Sequence, residues 1–232
     1  MVGGTFTQHQ GGKGGNQAVA AARVSPKDRV VMIGAVGNDQ LGRQALRALS
    51  AESIRTRVVV TEEPTGVALI VVDPAGQNQI SVAPGANSSL LADDVLSALE
   101  ETDPAVVLVS LEVPIGTVRA AAEWARPRST VFVVNPAPAA EAGQVLDLAD
   151  FVTPNQVELA ALGPIPPGPR VILTCGANGA IIDGSTEVPA PAVSALDTTG
   201  AGDCFNGVFA AALTQGRDVA EAVRRAVVAA AM

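Results

Sequence analysis

Two glycine-rich stretches carry the residue types that could do chemistry: GGKGGNQ at 11–17 and DTTGAGDCFNG at 197–207. In the second, Gly200 and Gly202 let successive backbone N–H groups converge at the start of a helix, where the helix dipole adds partial positive charge. A phosphoryl group in transfer spreads its charge over three oxygens and suits such a cradle. Asp203 falls in the first helical turn, where its carboxylate can accept the proton of an attacking hydroxyl. The alternative is a favourable first-turn charge worth about 0.3–1 kcal/mol.

In the first stretch, four glycines around Lys13 let the backbone approach a ligand closely, and Asn16 and Gln17 present amide groups at a helix start. Amides suit hydroxyl-rich ligands; a flexible loop capped by Asn16 is the other reading. Lys13 is followed by Gly14 rather than Ser or Thr, which excludes the G-x-x-x-x-G-K-[ST] phosphate loop, and the third glycine of the dinucleotide fingerprint is missing.

These stretches need a scaffold, and apolar runs alternating with amphipathic ones supply it. RVVMIGAVG (29–37) predicts a buried strand, followed by a helix from about Asp39 to Ala51 with Leu41, Ala45, Leu46 and Leu49 on one face. Further strands are expected at 105–113, 130–136, 150–155 and 170–176. Helices are expected through Val118, Ala121, Ala122 and Trp124 and again at 158–163. Strands without polar alternation, separated by helices, make a parallel sheet covered on both faces, an α/β sandwich. Residues 67–87 differ, reading as two strands joined around 73–77 with no helix between them, either a protruding lid or an antiparallel sheet edge. Asn38, Asp39, Glu112, Asn135, Asn155 and Thr174 end strands, where open parallel sheets bind ligands, so they are expected to share one crevice.

Composition narrows the function classes. The 232 residues suit one domain, 48% hydrophobic but only 3% aromatic, and the net charge of −8 argues against a nucleic-acid backbone as partner. A single histidine, His9, argues against a Ser–His–Asp triad and a His-based zinc site. Cys175 and Cys204 make no disulfide framework and are expected as small buried hydrophobes in a reducing compartment. No apolar run reaches the roughly 18 residues of a membrane span, and a cytoplasmic location is expected.

Taken in order, GGKGGNQAVAAAR, PGAN (84–87), LEVP (111–114), NPAPA (135–139), TPNQVE (153–158) and DTTGAGDCFNG closely resemble the ribokinase-like family of carbohydrate kinases, over essentially the whole chain. The motif set is most similar to members acting on ribose rather than fructose or adenosine. The resemblance implies a single domain over 1–232: a three-layer sandwich with a mostly parallel central sheet plus a small β lid from about 1–8 and 66–84. It implies transfer of the ATP γ-phosphate to the 5-hydroxyl of D-ribose, with Asp203 as base and Gly200, Ala201 and Gly202 as anion hole. It also implies sugar contacts from Gly12, Lys13, Asn16, Glu112 and Asp203. Asn155 and Glu158 then govern Mg²⁺ and phosphate, Glu158 through water, and Thr174, Gly176 and Gly179 contact the nucleotide. Asp197 and the Thr199 carbonyl are implied ligands of an activating K⁺, and the lid is implied to pair two subunits in a homodimer.

The family's first strand, with an Asn-x-Asp pair that grips the sugar, has no counterpart ahead of the glycine stretch. Its neighbours are therefore expected to lack a hydrogen-bonding partner, and residues 1–232 alone are expected to have reduced activity. The family also continues past AVVAAAM (226–232) with a segment over adenine, whereas GPIPPGP (163–169) reads as a shortened connector. The alternatives are another sugar or nucleoside kinase of the family, such as a fructokinase or deoxyribokinase, and a non-catalytic remnant acting by dimerisation.

Overall fold

The computed structural model describes residues 5–72, 78–193 and 197–232. In chain order its elements are α1 (Lys13–Arg23), β1 (Val31–Gly37), α2 (Gln40–Ala51), β2 (Arg55–Thr61), β3 (Val67–Val72), β4 (Asn78–Ala83), α3 (Ala92–Thr102), β5 (Val106–Ser110) and α4 (Ile115–Ala125). There follow β6 (Val131–Asn135), β7 (Phe151–Val152), α5 (Gln156–Leu162), β8 (Arg170–Thr174), β9 (Ala180–Ile182), β10 (Thr186–Val188), α6 (Ala201–Thr214) and α7 (Val219–Ala230).

The main sheet runs β10-β9-β8-β7-β6-β5; β5 to β8 are parallel, and β9 and β10 add an antiparallel edge. Strand alternation sorts its side chains into two cores. On β6, Phe132 and Val134 pack with Leu99 of α3 and Val118, Ala122 and Trp124 of α4, while Val133 turns to Phe205 and Phe209 of α6 and Val223 of α7. Helices thus cover both faces, giving the expected three-layer α/β sandwich. Phe209 is fully buried, edge-on to Phe151 with ring centroids 5.4 Å apart.

β1 and β2 form a separate parallel pair whose Ile33, Ala35 and Val59 join the same core as α3 and α4. Among the described residues, β1 pairs only with β2 and β5 only with β6.

Among the described residues β3 and β4 pair with each other alone, in register Leu69–Ser81 and Ile70–Ile80, and the hairpin is not an edge of the main sheet. Its expected connection at 73–77 lies outside the described residues, as do residues 1–4 of the expected lid segment. Residues 5–8 form no strand; Gln8 instead donates to Gln44 of α2 at 3.0 Å. Asp39 caps α2, accepting from the Gly42 N–H, and also accepts from the N–H and hydroxyl of Thr65 below the hairpin. Those donors hold its carboxyl well below the usual range, at about 2, so Asp39 is spent on local structure and does not join the crevice.

Candidate active site

The site begins where α6 meets α1. Gly200, with φ of 77°, is the N-cap of α6, and no side chain caps the turn. The first N–H groups of a helix have no partner within it, so the front of α6 points donors and dipole outwards, although the Ala201 N–H bonds back to the Thr198 carbonyl at 3.2 Å. Added β-carbons at Gly200 and Gly202 would meet nothing within 4 Å, so the approach to those donors is open. Asp203 stands in that first turn.

Its carboxylate is held on both oxygens by α1: the Asn16 amide donates to Oδ2 at 2.8 Å and the Gln17 amide to Oδ1 at 3.2 Å. This contact between residues some 187 positions apart depends on Gly207. A Cβ there would lie 2.2 Å from the Gln17 carbonyl oxygen and 2.9 Å from the Ala21 nitrogen, so only glycine lets α1 pack this closely on α6.

The sequence reading of α1 needs two corrections. The helix starts at Lys13, so Asn16 sits inside it and is no cap; the Lys13 N–H instead donates to Glu112 Oε2 at 2.8 Å. A carboxylate two residues past the end of β5 thereby satisfies an N-terminal donor of α1 and complements its dipole. Gln17, read as facing a ligand, is only 3% exposed and is committed to protein partners, Asp203 and Asn135 Oδ1 at 3.0 Å. Gly12, Lys13 and Glu112 thus form one group at the start of α1, and Asn16 with Asp203 another, bridging α1 and α6.

Asn155 and Glu158 form a reciprocal capping box at the start of α5, each accepting from the other's backbone N–H at 2.8 Å. The half-buried Glu158 carboxyl is pushed up, chiefly by loss of solvent and further by the Asp203 charge; the Asn155 N–H and Lys13 pull the other way. The electrostatic influence of Lys13 and Asp203 puts Glu158 in the same neighbourhood as the α1–α6 pair. Thr174 ends β8 beside Asn155 through an isolated parallel bridge, and its N–H donates to the Pro154 carbonyl at 2.9 Å.

Gly176 and Gly179 lie in the β8–β9 turn. A Cβ on Gly179 would sit 2.0 Å from the Val188 carbonyl oxygen, so its identity is dictated by packing on β10. Asp197 is exposed and accepts the Thr199 N–H at 2.8 Å in the loop before α6; the Thr199 hydroxyl and then that N–H hold its carboxyl below the usual value. Oxygen donors dominate the whole region, and among the described residues no three His, Cys, Asp or Glu side chains cluster as a metal cage. Cys175 and Cys204 are half-buried rather than buried, and desolvation pushes both thiols up, keeping them protonated.

Sequence reasoning missed Gly207, Thr153 and Asn206 as supports of the site. Glycine inside an alanine-rich helix was the available signal for Gly207; the other two carry none, because what matters is their long-range pairing.

Fold and site together define a family: the chain belongs to the pfkB family of carbohydrate kinases, whose family model matches residues 1–232. It is 37% identical to the ribokinase of Lactococcus lactis subsp. lactis over 245 residues, covering 99% of this chain and 80% of that protein. It is 35% identical to the deoxyribokinase of Salmonella typhi over 249 residues, covering 95% and 80%. The structure of Arabidopsis thaliana ribokinase complexed with ribose and ATP superposes with a TM-score of 0.82 at 27% identity, covering 95% of this chain and 80% of that one.

Proposed function

We propose that this kinase transfers the γ-phosphate of ATP to the 5-hydroxyl of D-ribose. The observation that carries the reading is the Asp203 carboxylate, fixed on both oxygens in the open first turn of α6. On substrate binding, Asn16 exchanges Asp203 for a sugar hydroxyl, and at the start of α1 Lys13 and Glu112 exchange their bond to each other for sugar hydroxyls. Asp203 then accepts the proton of the 5-hydroxyl as its oxygen bonds to the γ-phosphorus and the bond to ADP breaks. The N–H groups of Gly200, Ala201 and Gly202 stabilise the charge on the moving phosphoryl group. Thr174 and the turn through Gly176 and Gly179 face the nucleotide.

The donor set fits hard cations. Asn155 and Glu158 would orient water around Mg²⁺, and Asp197 with the Thr199 carbonyl would contribute to a K⁺ site. Mg²⁺, when bound, supplies neutralisation of phosphate charge. The exposed apolar hairpin β3–β4 acts as lid and subunit contact.

A second reading, 2-deoxy-D-ribose as substrate, has the 35% identity to a deoxyribokinase in its favour. ADP release measured on the full chain with D-ribose, 2-deoxy-D-ribose and D-fructose, with and without K⁺, separates these. Highest kcat/KM with D-ribose, abolished in Asp203→Asn, is the expected result. Preference for another sugar overturns the substrate, activity surviving in Asp203→Asn overturns the base, and no sugar-dependent release at all overturns the catalytic reading in favour of a dimerising remnant.

A further inference from the structure

Behind Asp203 lies a closed circuit of polar groups to which the proposed reaction assigns no part. Gln17 donates from its one amide nitrogen to Asp203 Oδ1 at 3.2 Å and to Asn135 Oδ1 at 3.0 Å. Asn135 donates to the Thr153 carbonyl at 3.3 Å, and the Thr153 hydroxyl donates to Asn206 Oδ1. Asn206 returns the circuit to the catalytic turn, donating to the Gly202 carbonyl at 2.8 Å, one residue from Asp203. The four side chains are 3%, 6%, 1% and 2% exposed for Gln17, Asn135, Thr153 and Asn206. They come from α1, the end of β6, the residue after β7, and α6, so the ring ties together four separate segments of the chain behind the site.

Burial makes this arrangement consequential. Each amide is desolvated, and a desolvated polar group without a partner is costly, so the members hold one another in a single orientation. Within that ring Gln17 has no freedom to turn. Both of its amide hydrogens are committed, and its backbone is pressed against Gly207. Asn16 differs: it is partly exposed, and among the described residues its one side-chain bond is to Asp203 Oδ2. The two oxygens of Asp203 therefore stand in unlike settings, one pinned by a rigid buried donor and the other touched by a donor that can turn away.

We propose that Gln17 is a positioning residue for Asp203, locked by the Asn135–Thr153–Asn206 ring, and that it reserves Oδ1 as the anchored oxygen and Oδ2 as the one that takes the substrate proton. The proposal rests on the kinase reading above and deepens it. Neighbouring residues of α1 then have different kinetic duties, Asn16 in holding sugar and Gln17 in aligning the base. A carboxylate free to rotate spends little time with an oxygen in line with the hydroxyl, and misplacement of about 1 Å can cost on the order of 100-fold in rate.

The test is steady-state ADP-release kinetics on the full chain for wild type, Gln17→Met, Asn16→Ala, Asn135→Ala, Asp203→Asn and the Gln17→Met/Asp203→Asn double variant. Gln17→Met is expected to lower kcat about 10- to 100-fold while leaving KM for sugar and ATP within about threefold, and Asn16→Ala chiefly to raise the sugar KM. In the Asp203→Asn background Gln17→Met should change the residual rate less than about twofold, because a residue acting through Asp203 has nothing left to act on. Should Gln17→Met fail to fold, Asn135→Ala keeps the amide but frees it, and a kcat loss of about 3- to 10-fold at unchanged KM is expected. Full kcat in Gln17→Met or Asn135→Ala, or an equal loss with and without Asp203, overturns the positioning role while leaving the kinase reading intact. A wild-type chain with no sugar-dependent ADP release, by contrast, removes both.

Discussion

At the scale of single residues, Glu158 shows stability and chemistry pulling apart. Half-burial pushes its carboxyl up, so the folded state holds the proton more tightly than the unfolded chain does. A group raised in this way contributes stability that is full below the unfolded glutamate value, about 4.3, and is lost as pH rises through the folded value. Glu158→Gln stays neutral at every pH and can still accept from the Asn155 N–H. Its melting temperature should therefore match wild type near pH 4 and exceed it at pH 7 to 8. Under the metal role proposed for Glu158, activity should move oppositely, with kcat falling about tenfold or more at fixed Mg²⁺. A melting difference that stays flat from pH 4 to 8 would contradict the burial argument.

At the scale of elements, the packing of α1 on α6 decides whether the two glycine-rich stretches act together. Gly207→Ala places a methyl 2.2 Å from the Gln17 carbonyl oxygen, a contact relieved only by moving a helix. Overpacking of this kind costs about 1–3 kcal/mol. Thermal melting should register that loss, and kcat should fall more than the stability change explains, since Asn16 and Gln17 move off Asp203 together. A variant that melts lower yet keeps wild-type kcat would separate the interface from the chemistry. This dependence was not legible in the sequence, for a definite reason. Local pattern announced β1, β5, β6 and β8, because continuous apolar runs record burial on both faces. Nothing local records which distant backbone a glycine must accommodate, so Gly207 reads as a weak helix former. β2 escaped notice because Arg55, Thr56 and Arg57 open it, and β9 and β10 because three residues are too short to show a period.

At the scale of the molecule, the helix start at Gly200–Asp203 and the doubly covered sheet were readable, while the register of the hairpin adds something that composition could not. Pairing Ile70 with Ile80 and Ala68 with Val82 puts Ala68, Ile70, Val72, Ile80 and Val82 on one face, whereas the opposite face also carries Ser81 and Gln79. Ile70, Val72, Ile80 and Val82 are each more than half exposed. Two strands standing alone are marginal in water, and a contiguous exposed apolar face marks an interaction surface. A second copy of the hairpin laid on the first face would bury it. Light scattering on the eluting wild-type chain is therefore expected to give the mass of a dimer, with Ile70→Lys or Ile80→Lys giving the monomer. Ser81→Lys, on the opposite face, should leave the dimer intact. A wild-type monomer at tens of micromolar, or a dimer that survives both isoleucine substitutions, would assign the hairpin to the lid role alone. If the dimer forms, its loss in Ile70→Lys should also raise the sugar KM, because a lid that is marginal by itself is ordered by its partner before substrate arrives.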